Sequence, residues 1–77
     1  MLNIVARISD QQVVETTSRE ITQGLLEAYA TNYADGDVNN IIYYTATSQE
    51  EDRVNNGDEY SLVWSGDTIT GLDFSVE

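Results

Sequence analysis

Carboxylates are the only abundant side chains in this sequence that could do chemistry. Fourteen Asp and Glu face three Arg (Arg7, Arg19, Arg53), and His, Lys and Cys are absent. The densest stretch is SQEEDRVNNGDE, residues 48–59, with Glu50, Glu51, Asp52, Asp58 and Glu59 around Arg53. Carboxylates at such density could bind a cation, exchange protons, or present a negative surface. Cation binding fails on spacing. Asp35, Asp37 and Asn39 match the first three ligand positions of a calcium loop, but the sixth is Asn40 rather than Gly and the twelfth is Ala46 rather than Glu. Counting from Asp52, the third position is Val54 and the twelfth is Val63, so that stretch fails as well. No metal or cofactor is expected.

Acid–base catalysis is little better served. Without His, Cys or Lys, the proton-transfer groups are carboxylates and tyrosines, and no Ser has an imidazole partner. Paired carboxylates can hydrolyse glycosides, but a chain of 77 residues can hardly surround a sugar, and no acid sits in an apolar context. An enzyme is not expected. A glycine-rich phosphate loop is missing, and three scattered arginines do not make a nucleic-acid-binding patch. A negative surface is what remains.

The formal net charge is −11. Such a surface repels nucleic acid and anionic membranes and draws in basic proteins over a Debye length of about 8–10 Å. Solubility, or adaptation to high salt, would explain the missing Lys but not why the acids bunch. Hydrophobic residues make up 40% of the chain, enough for one small core, so residues 1–77 read as a single domain. With no Cys for a staple and no long apolar span, the expectation is a cytoplasmic protein, monomeric or a small homo-oligomer.

The elements that must position the acids are legible in outline. LNIVARIS (2–9) alternates, with Leu2, Ile4, Ala6 and Ile8 on one face and Asn3, Val5, Arg7 and Ser9 on the other. Residues 10–17 read either as a second strand or as the start of a long helix. A helix from about 18 to Ala34 would be about 25 Å long, close to a seven-residue strand at about 23 Å, which favours the strand. Thr17 and Glu20 suit a capping box. Ile21, Leu25, Ala28, Leu26, Tyr29 and Tyr33 form the apolar stripe of the helix, and Asp35-Gly36 ends it. Gly24 within it suggests close packing on a sheet.

NNIIYYTAT (39–47) reads as a central strand. Asn56-Gly57 is the strongest short hairpin signal, and would turn Glu50–Val54 back against Asp58–Ser61. YSLVW (60–64) and TGLDFSVE (70–77) alternate cleanly, with Leu72, Phe74 and Val76 inward and Ser75 and Glu77 outward. A three-residue Gly66-Asp67-Thr68 turn would set Trp64 opposite Thr70, Leu62 opposite Leu72 and Tyr60 opposite Phe74. A two-residue turn would put Leu62 opposite Gly71 and scatter the core. The expected fold is α+β, a single helix packed on one face of a four- to five-stranded antiparallel sheet.

Acids two apart on a strand project about 6.6 Å apart on one face, comparable to successive phosphates of a nucleic-acid strand. Charged hairpins also serve simply to blunt edge pairing. A small, strongly acidic α+β chain without Lys resembles the phage-encoded inhibitors that mimic nucleic acid, among them the anti-CRISPR proteins. NNIIYYTATSQEED (39–52) followed by EYSLVW (59–64) is similar to the central strand, acidic loop and aromatic-bearing strand of the uracil-DNA glycosylase inhibitor family. The resemblance covers roughly a third of the chain and carries over the class alone, with no residue roles.

It implies an inhibitor that blocks the groove of a basic, nucleic-acid-binding protein. Glu50, Glu51, Asp52, Asp58 and Glu59 would supply its charge, Asp35 and Asp37 would add to it if the helix end lies nearby, and an exposed Tyr43 or Tyr44 would anchor it, at least one of the two being buried. An immunity protein or antitoxin against a basic nuclease has the same chemistry. An accessory acidic domain with no inhibitory role is the alternative from another class.

Overall fold

A computed structural model describes residues 1–74; the expected inward Val76 and outward Ser75 and Glu77 lie outside these. The chain forms strands β1 (Asn3–Arg7) and β2 (Gln12–Thr17), helix α1 (Gln23–Tyr33), a 3-10 turn (Val38–Asn40) and strand β3 (Ile41–Thr45). Helix α2 (Ser48–Asn55) and strands β4 (Tyr60–Ser65) and β5 (Thr68–Phe74) follow. The fold is α+β, but with two helices and two antiparallel sheets, in the orders β2-β1-β3 and β4-β5. The single helix on one four- to five-stranded sheet is therefore corrected on both counts.

β1, not β3, is the central strand. Asn3, Ile4, Val5 and Ala6 are all buried, so the expected division of β1 into an inner and an outer face does not hold. Val5 joins Tyr29, Ala30, Ala34 and Ile41 in the core beneath α1. On the opposite face, Ile4 pairs with Tyr44 and Ala6 with Ile42, and both β1 residues have no exposed surface. β5 packs against β3, and α2 is tied to Tyr44. A strand covered on both faces must satisfy its polar side chains internally. Asn3 does so by donating from Nδ2 to the Arg19 carbonyl at 2.8 Å and accepting from the Thr45 hydroxyl.

Residues 12–17 are a strand, with Val14 as an extra residue in a bulge between the Val5–Glu15 and Ala6–Val13 pairs. Thr17 ends β2, its hydroxyl accepting from the Arg19 N–H at 3.1 Å, and α1 starts only at Gln23, so Thr17 does not cap it. Thr22 does, its hydroxyl accepting from the Leu25 N–H at 3.2 Å. Ile21 thus precedes the helix, while still packing against the core with Leu25, Leu26 and Tyr33. Ala28 is exposed, contrary to the expected stripe. So is Gly24, where an added Cβ would meet only the Thr22 hydroxyl oxygen at 4.0 Å. Close packing is not what Gly24 serves. Past the helix, Asp35 and Gly36 both adopt left-handed conformations, with φ of 52° and 84°.

The β4–β5 hairpin keeps the expected Tyr60–Phe74 and Leu62–Leu72 pairs. It does so by another route. The turn is the two residues Gly66-Asp67, and Thr70 is the extra residue of a bulge between the Val63–Gly71 and Trp64–Ile69 pairs. The bulge absorbs the one-residue slip that a two-residue turn would otherwise impose. Tyr60, Leu62 and Trp64 are half-buried while Ser61, Val63 and Ser65 are exposed.

Candidate functional site

The acidic stretch 48–59 is a helix and its exit, not a β-hairpin. Thr47, Ser48, Gln49 and Glu50 form a capping box. The Thr47 hydroxyl accepts from the Glu50 N–H at 3.2 Å, and the Glu50 carboxylate accepts from the Thr47 N–H at 3.0 Å. Glu50 and Glu51 lie in the first turn and Arg53 in the last, the order that suits the helix dipole. Asn56-Gly57 ends this helix. Gly57, at φ 91°, donates to the Val54 carbonyl at 3.0 Å, and Asp58 N–H donates to the Arg53 carbonyl at 3.1 Å. That is a Schellman closure. The Thr-x-x-Glu signature was present in the sequence at 47–50, and the stronger-looking Asn-Gly signal concealed it.

Glu50 does not face solvent as a binding acid would. Its Oε1 also accepts from the Tyr44 hydroxyl at 2.7 Å, and its Oε2 from the Leu72 N–H at 3.4 Å. One half-buried carboxylate thereby joins β3, the start of α2 and the outer edge of β5. Burial pushes its pKa up. The bonds from Thr47, Tyr44 and Leu72 together outweigh that and hold it below the usual carboxylate range. Tyr44 is correspondingly raised, first by donating to Glu50 and then by burial.

Asp58 is also engaged. Its Oδ2 accepts from Arg53 Nε at 3.0 Å, and the Arg53 guanidinium lies 4.2 Å from the centre of the Phe74 ring. This places Arg53 between an acid and an aromatic face, a favourable cation–π position. Glu51 lies 3.4 Å from the N-terminal ammonium of Met1, a contact of little energetic weight at such exposure. Asp52 and Glu59 are exposed.

The remaining candidates are not gathered here. Arg7 pairs with Ile41 and Asn3 with Thr45 across β1 and β3. Asp35 and Asp37 precede the Ile41 end of β3, and α2 follows the Thr45 end. About 13 Å of strand separates the two acidic sites, so Asp35 and Asp37 do not add to the α2 cluster. Asp37 instead caps the 3-10 turn, accepting from the Asn39 N–H at 3.1 Å. Tyr43 is 42% exposed, but it lies opposite Val5, on the α1 side of the sheet, whereas Tyr44 faces α2. Of the expected binding residues, α2 and its exit leave Asp52 and Glu59 as exposed acids, with Glu51 half-buried beside the N-terminal ammonium.

Among the described residues no three metal-binding side chains converge, and no helix is long and apolar enough to cross a membrane. Comparison with protein-family models, with curated proteins and with solved structures found no match.

Proposed function

We propose that this chain is an acidic inhibitor that binds a basic, nucleic-acid-binding protein and occludes its groove, in the manner of a phage anti-defence protein of the anti-CRISPR type. The observation that carries this reading is where the cations go. Arg7 is held by Asp10, with contacts of 3.0 and 2.7 Å, and Arg53 by Asp58. Two of three arginines are thus consumed by acids beside them, and Asp52 and Glu59 keep an uncompensated field. α2 and its exit would present these acids with Glu51, and association would be fast and salt-sensitive.

The test uses charge reversal at Glu51, Asp52 and Glu59, sparing Glu50. The protein, immobilised at low salt, is used to capture basic proteins from bacterial lysate. Each captured protein is then tested for displacement of its labelled DNA or RNA. The expected result is competitive displacement, lost in Glu51→Lys/Asp52→Lys/Glu59→Lys while circular dichroism shows the fold retained. Capture without displacement, or displacement unaffected by the reversal, sinks the proposal.

A further inference from the structure

The sequence signal at Asn56-Gly57 is absorbed neither by a hairpin nor by the proposed binding surface. It retains a chemistry of its own. A backbone nitrogen can attack the side-chain amide carbon of the preceding Asn, and Gly obstructs this least because it has no Cβ and tolerates unusual φ. Both residues are exposed, and nothing lies within 4 Å of the position a Gly57 Cβ would take. Water and the moving side chain therefore have access. One restraint opposes the attack: the Gly57 N–H is bonded to the Val54 carbonyl at 3.0 Å.

We infer that Asn56 is a site of spontaneous succinimide formation, gated by fraying of the last turn of α2. When that turn opens, the Gly57 nitrogen loses its proton and bonds to Asn56 Cγ. The Cγ–Nδ2 bond breaks and ammonia leaves with the proton. Water then opens the ring at either carbonyl, giving Asp or an isoaspartyl linkage. The first outcome places a new negative charge beside Asp58 and Glu59. The second inserts one extra backbone carbon between the Asn56 N–H, bonded to the Asp52 carbonyl, and the Gly57 N–H. That displaces the closure that sets Arg53 against Asp58 and Phe74.

Asp35-Gly36 has the same small second residue but a poorer electrophile, since an ionised carboxylate resists attack where an amide does not. Asn3 is buried and followed by a β-branched residue. Asn32, Asn39, Asn40 and Asn55 are followed by Tyr, Asn, Ile and Asn, each with a Cβ that obstructs the attack, which leaves Asn56 as the favoured site.

The full-length chain is incubated at mildly alkaline pH in buffer, alongside the same chain in urea and the Thr47→Ala variant, and mapped by peptide mass spectrometry. The amide-to-acid mass gain should arise first at residue 56, as two chromatographic isomers, and be absent there in Asn56→Gln. Its rate should be highest in urea, intermediate in Thr47→Ala and lowest in the native chain. First conversion at another Asn overturns the assignment. So does a native chain that stays unconverted while the urea sample converts fully. Equal rates in the native chain and in urea overturn the gate.

Discussion

The two sides of α2 carry the same residue type and put it to different uses. On the inner side, Glu50 gathers the Thr47 N–H, the Tyr44 hydroxyl and the Leu72 N–H, and Arg53 joins Asp58 to the Phe74 ring. On the outer side, Asp52 faces solvent, as does Glu59 just beyond the helix. Neighbouring carboxylates are thus divided between holding the fold and charging its surface. What separates them is geometry. A half-buried acid is worth its hydrogen bonds, whereas an exposed one contributes through a screened field.

That division breaks most visibly at Glu50. Glu50→Ala leaves two N–H groups and a Tyr hydroxyl without their charged acceptor, and should cost about 2–4 kcal/mol by urea denaturation, given about 1.5–3 kcal/mol for a bond to a charged group. Protonating Glu50 is the milder version. Its folded pKa is lowered, so its contribution is full above the unfolded value of about 4.3 and is lost as pH falls through the folded value. From pH 7 towards about 5, relief of self-repulsion among the surface acids works the other way. The melting temperature should therefore hold or rise before falling below about pH 4, and Glu50→Gln should flatten that final descent.

Thr47→Ala removes the other half of the capping box and should cost about 1 kcal/mol, read by the same denaturation. Asp52→Asn with Glu59→Gln should change stability by no more than about 0.5 kcal/mol. A large loss from this outer pair would mean that the two sides are not distinct.

Much of the architecture was legible. The alternation of Tyr60 and Leu62 against Leu72 and Phe74 set the register of that half of the hairpin, whereas Trp64, expected opposite Thr70, pairs with Ile69. The match in length between a helix ending at Ala34 and a seven-residue strand favoured a strand within residues 10–17, and β2 forms at Gln12–Thr17. Structure and expectation differ where two local signals compete. Asn56-Gly57 suits a hairpin turn and a helix exit equally, because both need a residue at positive φ. The Thr17-x-x-Glu20 and Thr47-x-x-Glu50 patterns look alike on paper. Thr17 ends β2 and α1 starts only after Thr22, so Thr47 is the one that caps together with its Glu. The expected acidic surface was legible as composition, but not as a surface. Glu50 and Tyr44 turn inward to each other, and β3 separates Asp35 and Asp37 from α2.

The sequence by itself determined the charge, the absence of imidazole, thiol and ammonium chemistry, and the apolar periodicities that demand strands and a helix. These are local or additive properties, readable without knowing what lies nearby. Only the tertiary structure decided that β1 is covered on both faces, that a bulge at Thr70 reconciles a two-residue turn with the hairpin register, and which carboxylates remain free. The first and the last depend on partners distant in sequence, whereas the bulge is set within the β4–β5 hairpin itself. A carboxylate's role follows from the donors within its reach, and for Glu50 one of them, Leu72, lies 22 residues away.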